Sequence, residues 1–311
     1  METHYKFKKT VKRFRRVFLS KLNKRYRMAH FRATPVILYG NKKIVFNKTQ
    51  KDSAMALLTV ANKYMIELSD KKLTYTTWKV EPDKDTFTVP SKIRFSLNSL
   101  DPMIFAETFI YDIHFIEHNL KNKIVVEGGA FVGDTALYYA NKGARVYTFE
   151  PNSVNFTKLK NNIKLNSVLS ERITPINAAM GKNGKLKFEI EGSGGSKSLD
   201  DTKIRSNKNN WVETESYSID KILSEYNIKK PYLLHLDIKG QEEEIIKQKG
   251  ITKFKRIRLE YSFYLWKNKD VANLNYLIDK LQAAGYTKIR IFKHNNLEIP
   301  LEIHGTIDAS K

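Results

Sequence analysis

Residues 123–140, KIVVEGGAFVGDTALYYA, constrain what this chain can fold into more than any other stretch. Ile124, Val125 and Val126 form an unbroken apolar, β-branched run, the pattern of a strand buried on both faces of a parallel sheet. The run stops on Glu127 and crosses Gly128, Gly129, Ala130, Phe131, Val132 and Gly133. A helix then opens at Asp134 and Thr135. Glycines at such a turn let backbone approach a ligand closely, and the helix N-terminus that follows offers free N–H groups. A strand, a glycine-rich turn and a helix in this order predict a nucleotide cradle in an α/β fold.

A second strand, expected over 145–149, ends on Glu150, 23 residues after Glu127. An acid at that tip can accept hydrogen bonds from both ribose hydroxyls of a nucleoside. Two folds share this layout, one binding dinucleotides and one binding S-adenosylmethionine (AdoMet). The dinucleotide turn wants glycine where Ala130 stands, and Glu127 would lie beside a pyrophosphate. AdoMet instead carries a sulfonium and an ammonium there, so the acid favours AdoMet.

The 311 residues allow one large domain or a domain with an extension, and 41% hydrophobic content supports a real core. A net charge of +22 predicts attraction to anionic partners. There is no cysteine, hence no disulfide, thiolate nucleophile or cysteine metal site. Residues 1–32 hold twelve Lys/Arg against one Glu, half of the net charge. Phe7, Val11, Phe14, Phe18 and Leu22 recur at helical steps, so a basic amphipathic helix is expected there. It suits an anionic membrane surface, docking on the rest of the protein, or a nucleic-acid arm, in that order. No stretch is apolar enough to span a bilayer, and no secretory apolar core is visible, so a cytoplasmic protein, peripheral on the inner face of a membrane, is expected.

Downstream, 36–46 reads as a hairpin turning at Gly40–Asn41, 54–68 as a helix, and 74–80 and 92–97 as strands. A helix over 102–120 would carry His114, Glu117 and His118, an H-x-x-E-H string. Short metal patterns match by chance often, and no further ligands accompany this one, so no zinc site is assigned. A helix is expected over 155–166, strands over 173–178 and 185–190, and a loop over 191–210, a lid candidate. A helix over 219–226 precedes strands at 232–236 and 257–259, which run into Asp237 and Glu260. The last helix stops at Gly285, and strands at 288–292 and 297–303 close the chain. Four acids, Glu127, Glu150, Asp237 and Glu260, are thus expected in one register at the carboxyl ends of four strands, where an open α/β sheet binds ligands.

The segments VVEGGAFVGDT, VYTFEPN, LKNNIKLN, INAAMGKNGKLKF, YSIDKIL, LHLDIKGQEEEII and RIRLE follow one another between 125 and 260. In that order and spacing the chain resembles the FkbM family of AdoMet-dependent methyltransferases, over roughly residues 100–292. The resemblance implies a Rossmann-like class I methyltransferase sheet, mostly parallel with the last strand antiparallel, AdoMet as donor, and usually O-methylation. Residues 101–311 would form that domain, 33–100 an N-terminal α+β extension, and 1–32 the basic helix. His235 stands where the family usually has lysine, and Lys239 where it has glutamate. If that glutamate assists the acceptor, another acid such as Glu242 or Glu260 serves here, or the acceptor is more anionic.

The expected donor-binding set is Glu127, Gly128, Gly129, Ala130, Phe131, Gly133, Thr135, Glu150, Pro151, Asn152, Asn177 and Ala178. Glu150 would hold the ribose, Glu127 favour the ammonium, and Phe131 and Asn177 serve the adenine. The expected catalytic set is Asp237, Glu260 and His235. Asp237 is the base or the carboxylate that orients the acceptor, and His235 shares its strand face. A divalent cation on Asp237 and Glu260 is the less favoured reading, since no tight Asp/Asn cluster accompanies them. The expected acceptor is a small molecule or saccharide. An RNA or cap-type methyltransferase, suggested by the charge, and a non-catalytic AdoMet-fold module, suggested by His235 and Lys239, are the alternatives.

Overall fold

A computed structural model describes residues 27–31, 34–39, 42–71, 73–75, 77–190, 196–198, 211–293 and 299–311. The apolar stripe from Phe7 to Leu22 lies outside them. The chain divides into two compact units, 1–110 and 111–311.

In the first unit β1 (Arg27–Phe31), β2 (Thr34–Tyr39) and β3 (Lys42–Val45) form an antiparallel sheet. The expected basic helix therefore does not extend to residue 32, because Arg27–Phe31 pairs as a strand. The β2–β3 pairing is the expected hairpin. Helix α1 (Lys51–Tyr64) ends where Met65 adopts φ +58, short of the expected 68, and Glu67–Ser69 becomes strand β4. Strands β5 (Thr77–Glu81), β6 (Thr86–Thr88) and β7 (Arg94–Ser96) complete a four-stranded sheet with it. Helix α2 (Pro102–Phe109) starts on Asp101, whose carboxylate accepts from the Met103 and Ile104 N–H groups. It packs Phe105 edge-on against Phe95, with ring centroids 4.8 Å apart, and beside Trp78 and Phe87. That aromatic cluster is why the division falls after Ile110, ten residues beyond the expected boundary at 100.

The second unit contains β8 (Ile124–Gly128), α3 (Asp134–Asn141), β9 (Arg145–Phe149), α4 (Ser153–Lys164), α5 (Ser167–Ser170) and β10 (Ile173–Ile176). Then come β11 (Ala179–Met180), β12 (Gly184–Ile190), β13 (Ser196–Ser198), β14 (Trp211–Tyr217), α6 (Ile219–Glu225) and β15 (Leu233–Leu236). The unit closes with α7 (Glu242–Ile245), β16 (Arg256–Ser262), α8 (Leu274–Ala283), β17 (Lys288–Phe292) and β18 (His304–Ser310). Its main sheet runs β10-β9-β8-β15-β16-β18-β17, and β18 runs antiparallel to both β16 and β17. This is the expected class I sheet, with the order reversing between β8 and β15. One face carries the core of Val126, Leu234, Leu236, Ile257 and Leu259, covered by Ile222, Ile245 and Leu277.

Three expectations change here. The helix expected to run to 120 stops at Phe109, and 111–120 is irregular, so the H-x-x-E-H residues share no helix face. The last strand is His304–Ser310 rather than 297–303, where residues 301–303 form a turn. Within the expected loop 191–210, Ser196–Ser198 pairs with Phe188–Ile190 as a strand, and the rest of that segment lies outside the described residues. A small second sheet, β11-β14-β12-β13, carries these pairings.

Candidate active site

Strand register sorts the four acids onto two levels of one sheet face. Phe149 pairs with Gly128, Gly128 with Leu236, and Leu236 with Leu259. One residue on, Glu150, Gly129, Asp237 and Glu260 therefore stand level, with Thr306 opposite Glu260. Glu127 is not on that level. It lies two residues deeper, in a row Thr148, Glu127, His235, Arg258, Asp308 and Arg290 that crosses the sheet. Side chains two apart on a strand point the same way, so this row is the floor beneath the upper acids. The expectation of one register holds for three acids and fails for the fourth, because β8 continues one residue past Glu127.

The deep row is a buried polar ladder. Thr148 Oγ1 donates to Glu127 Oε2 at 2.5 Å, and Glu127 Oε1 lies 3.4 Å from His235 Nδ1. His235 takes the edges of His114 and Tyr139, with ring centroids at 5.1 and 5.5 Å. Arg258 donates through Nη1 to the carbonyls of Ile113 at 2.7 Å and Phe115 at 3.1 Å. Those carbonyls satisfy a buried guanidinium instead of a helix ladder, which explains why 111–118 is a loop. Asp308 takes the Arg256 fork at 2.6 and 2.5 Å and Arg290 at 2.8 Å. Burial alone would raise its pKa, but the Arg256 bonds and the charges of Arg258 and Arg290 hold it below the ordinary carboxylate value.

The cradle sits at the upper level. Gly129 and Gly133 have φ +86 and +87, where L side chains are strained. At Gly129 a Cβ would fall 1.9 Å from the Asp237 carbonyl oxygen, so the turn and the β15 tip are in direct backbone contact. The Gly129 and Ala130 N–H groups both donate to the Phe149 carbonyl, and buried Asn162 on α4 donates to the Val132 carbonyl at 2.8 Å. Glu150 accepts the N–H groups of Phe131 at 2.8 Å and Asn152 at 2.9 Å. Burial pushes the Glu150 carboxyl up to about 8, with the charge of Asp237 adding to it and the two N–H bonds pulling the other way.

The remaining expected donor residues fall into place around it. Asn152 caps α4, accepting from Val154 and Asn155, and Pro151 lies between it and Glu150. Asn177 donates to the carbonyls of Glu150 and Pro151, fixing the β9 tip. Thr135 and Gly128 are buried, and Ala178 is part of the core. Phe131 sits at φ +48 on the rim and stays partly exposed.

Beside the cradle, Ile113, His114, His235, Asp237, Arg258, Glu260 and Thr306 line a cleft. The three expected catalytic residues are thus together. Asp237 Oδ1, His235 Nδ1 and Arg258 Nε are buried atoms without hydrogen-bond partners there. Glu242 does a different job from the one considered for it. Its Oε2 accepts from Gly240 N–H at 2.8 Å and Trp266 Nε1–H at 3.2 Å, anchoring the Asp237–Gly240 turn from below. Burial pushes its carboxyl up to about 8, opposed by the Gly240 bond and reinforced by Asp237. Among the described residues no cluster of three His, Asp or Glu side chains could hold a metal ion. Glu117 instead bonds Lys123 and Tyr232.

Sequence reasoning missed His114, Arg258 and Thr306. Arg258 stands inside the RIRLE segment, where alternation with Glu260 is a usable signal. His114 had none, since only the loop's fold over the sheet brings it to the cleft.

The family model described as Methyltransferase FkbM domain matches residues 127–288. Among solved structures, the chain is similar to a methyltransferase FkbM from Methylobacillus flagellatus KT, at 19% identity and a TM-score of 0.41. That match covers 63% of this chain and 45% of the other, so this chain spans less than half of that protein's length. A precorrin-6y C5,15-methyltransferase from Geobacter metallireducens GS-15 matches at 14% identity, covering 61% and 81%, with a TM-score of 0.35. The METTL16 MTase domain matches at 12% identity, covering 88% and 86%, with a TM-score of 0.43. No curated protein matches the sequence.

Proposed function

This chain belongs to the FkbM methyltransferase family, and we propose that it methylates a hydroxyl of a saccharide or glycolipid. AdoMet is the methyl donor of such an enzyme; when bound it supplies a methyl group already activated by a positive sulfur.

The residues present fit that donor. Glu150, buried at the β9 tip, keeps lone pairs beyond its two backbone bonds for a ribose diol. The glycine turn brings bare backbone to the level of Glu150 and Asp237. Glu127 has no exposed surface, so its charge would reach an ammonium only through space or water.

The observation that carries the reading is Asp237. Its carboxylate lies one strand from the cradle, lines the cleft, and holds Oδ1 buried without a donor. A hydroxyl placed in that cleft would give Asp237 its missing hydrogen bond and be aimed by it toward the donor's methyl group. Positioning of this kind supplies much of the rate in transfers from an activated donor. His114, His235 and Thr306 shape the rest of the acceptor side.

The experiment measures AdoMet binding by calorimetry and methyl transfer to methyl glycosides by mass spectrometry. Full-length protein should bind AdoMet, and Asp237→Asn should keep that affinity while turnover drops at least about 100-fold. Tight NAD binding without AdoMet binding would overturn the donor assignment.

Residues 1–32 fit, in this reading, a reversible contact with anionic lipid, which would bring the enzyme to glycolipid acceptors. Among the described residues no helix is long and apolar enough to cross a membrane.

A further inference from the structure

Methyl transfer to a hydroxyl has to dispose of a proton, and the cleft contains a second carboxylate with a feature Asp237 lacks. Glu260 on β16 lines the cleft opposite Thr306. Behind it on the adjacent antiparallel strand stands His304, buried, with Nε2 3.6 Å from Glu260 Oε1. The other ring nitrogen, Nδ1, is 3.0 Å from the Tyr261 carbonyl and 3.0 Å from the Ser262 hydroxyl.

A backbone carbonyl can only accept a hydrogen bond. Nδ1 therefore carries a proton, which leaves Nε2 of the neutral ring as a lone pair aimed at a carboxylate. Two acceptors facing each other repel, and one proton between them turns the contact into an ion pair. The antiparallel β16–β18 register, which pairs Ser262 with His304, builds this arrangement into the sheet.

We infer that Glu260 and His304 together form the proton acceptor of the cleft, with His304 a positioning residue that acts through Glu260. The inference rests on the methyl-transfer reading above. In the step, the acceptor's O–H bond breaks as its oxygen bonds the methyl carbon. The S–CH3 bond breaks with its electron pair staying on sulfur, which loses its positive charge. The proton passes to Glu260 and on to His304 Nε2, leaving an imidazolium beside a carboxylate and needing no co-reactant. Asp237 orients the hydroxyl, and the Glu260–His304 pair takes its proton. The deep row is separate, since His235 Nδ1 faces Glu127 at 3.4 Å rather than His304.

The test uses full-length protein labelled with 15N-histidine and long-range 1H–15N correlation spectra. The His304 signal is the one absent from His304→Gln. Should that variant not fold, Ser262→Ala identifies the signal by shifting it, because it removes only the hydroxyl at Nδ1. The neutral ring is expected to carry its proton on Nδ1. Glu260→Gln is expected to move the ring's protonation midpoint down by about one pH unit, the effect of losing an opposite charge within about 4 Å. A proton on Nε2 of the neutral ring, or a midpoint that Glu260→Gln leaves in place, overturns the inference. Neither measurement needs donor or acceptor, so each can fail while AdoMet calorimetry still supports a methyltransferase. With methyl glycosides as probes, His304→Gln should lower turnover at least about tenfold and shift the acid limb of the pH–rate profile, with AdoMet affinity kept. A lowered rate with an unshifted profile would reduce His304 to packing and also overturn the inference. If the unaltered protein methylates none of these probes, the saccharide reading fails and the spectra alone decide the proton site.

Discussion

Glu127 Oε1 and His235 Nδ1 face each other 3.4 Å apart on paired parallel strands, and neither atom makes a hydrogen bond. Glu127 has no exposed surface, and its carboxyl accepts the Thr148 hydroxyl. Thr148→Val keeps the shape and removes that donor. Leaving a buried acceptor without its donor costs about 1–3 kcal/mol, and the variant should lose that much stability in urea unfolding. A variant as stable as the parent would show that the Thr148 bond contributes nothing to the fold.

Donor binding should release protons. The Glu150 carboxyl is pushed up to about 8 by burial, yet a ribose diol donates best to the ionised form. AdoMet affinity should therefore rise with pH, by at most about tenfold per unit, and level off above about 8. Calorimetry in two buffers of different ionisation heat should give different apparent enthalpies at pH 7. Identical enthalpies would mean that Glu150 is already charged in the free protein.

Stability should fall as pH rises from the acid side to about 8. Burial pushes the Glu150 and Glu242 carboxyls up to about 8 in the folded chain, against an ordinary value of 4.5. A raised folded value stabilises the fold fully below about 4.5 and loses that contribution as pH climbs through about 8. The thermal midpoint of the free protein should therefore drop as pH climbs from about 5 to about 8 and level off above that. Glu242→Gln keeps an oxygen for the Gly240 and Trp266 N–H donors and should make that drop shallower. An unchanged slope would assign the loss to other groups.

The basic segment predicts salt-sensitive lipid binding. Each Lys or Arg near an anionic surface contributes roughly 1 kcal/mol, and an apolar stripe adds a part that salt does not screen. Full-length protein should co-sediment with anionic vesicles and not with neutral ones, and removal of residues 1–26, which spares β1, should abolish this while AdoMet affinity survives. Preference for RNA over vesicles at physiological salt would instead favour the RNA methyltransferase alternative.

The sequence by itself determined the sheet and the cradle. Periodicity and turn chemistry are local, so Ile124–Val126, the glycine turn, Glu150 and Asp237 could be placed from neighbours a few residues away. The order of acids along the chain also indicated where strand tips would gather. Tertiary structure decided the rest, because register and loop packing join residues far apart in the chain. Only pairing shows that Glu127 lies a level below Glu150, Asp237 and Glu260, in a row with Arg258 and Asp308. Residues 111–118 have a helical pattern, but the buried Arg258 claims the Ile113 and Phe115 carbonyls, and that brings His114 onto His235. His304 likewise meets Glu260 only because the final strand inserts antiparallel beside β16, several residues later than its composition suggests. A carboxylate's neighbours across a sheet are fixed by hydrogen-bond register, and no local pattern of residues encodes that.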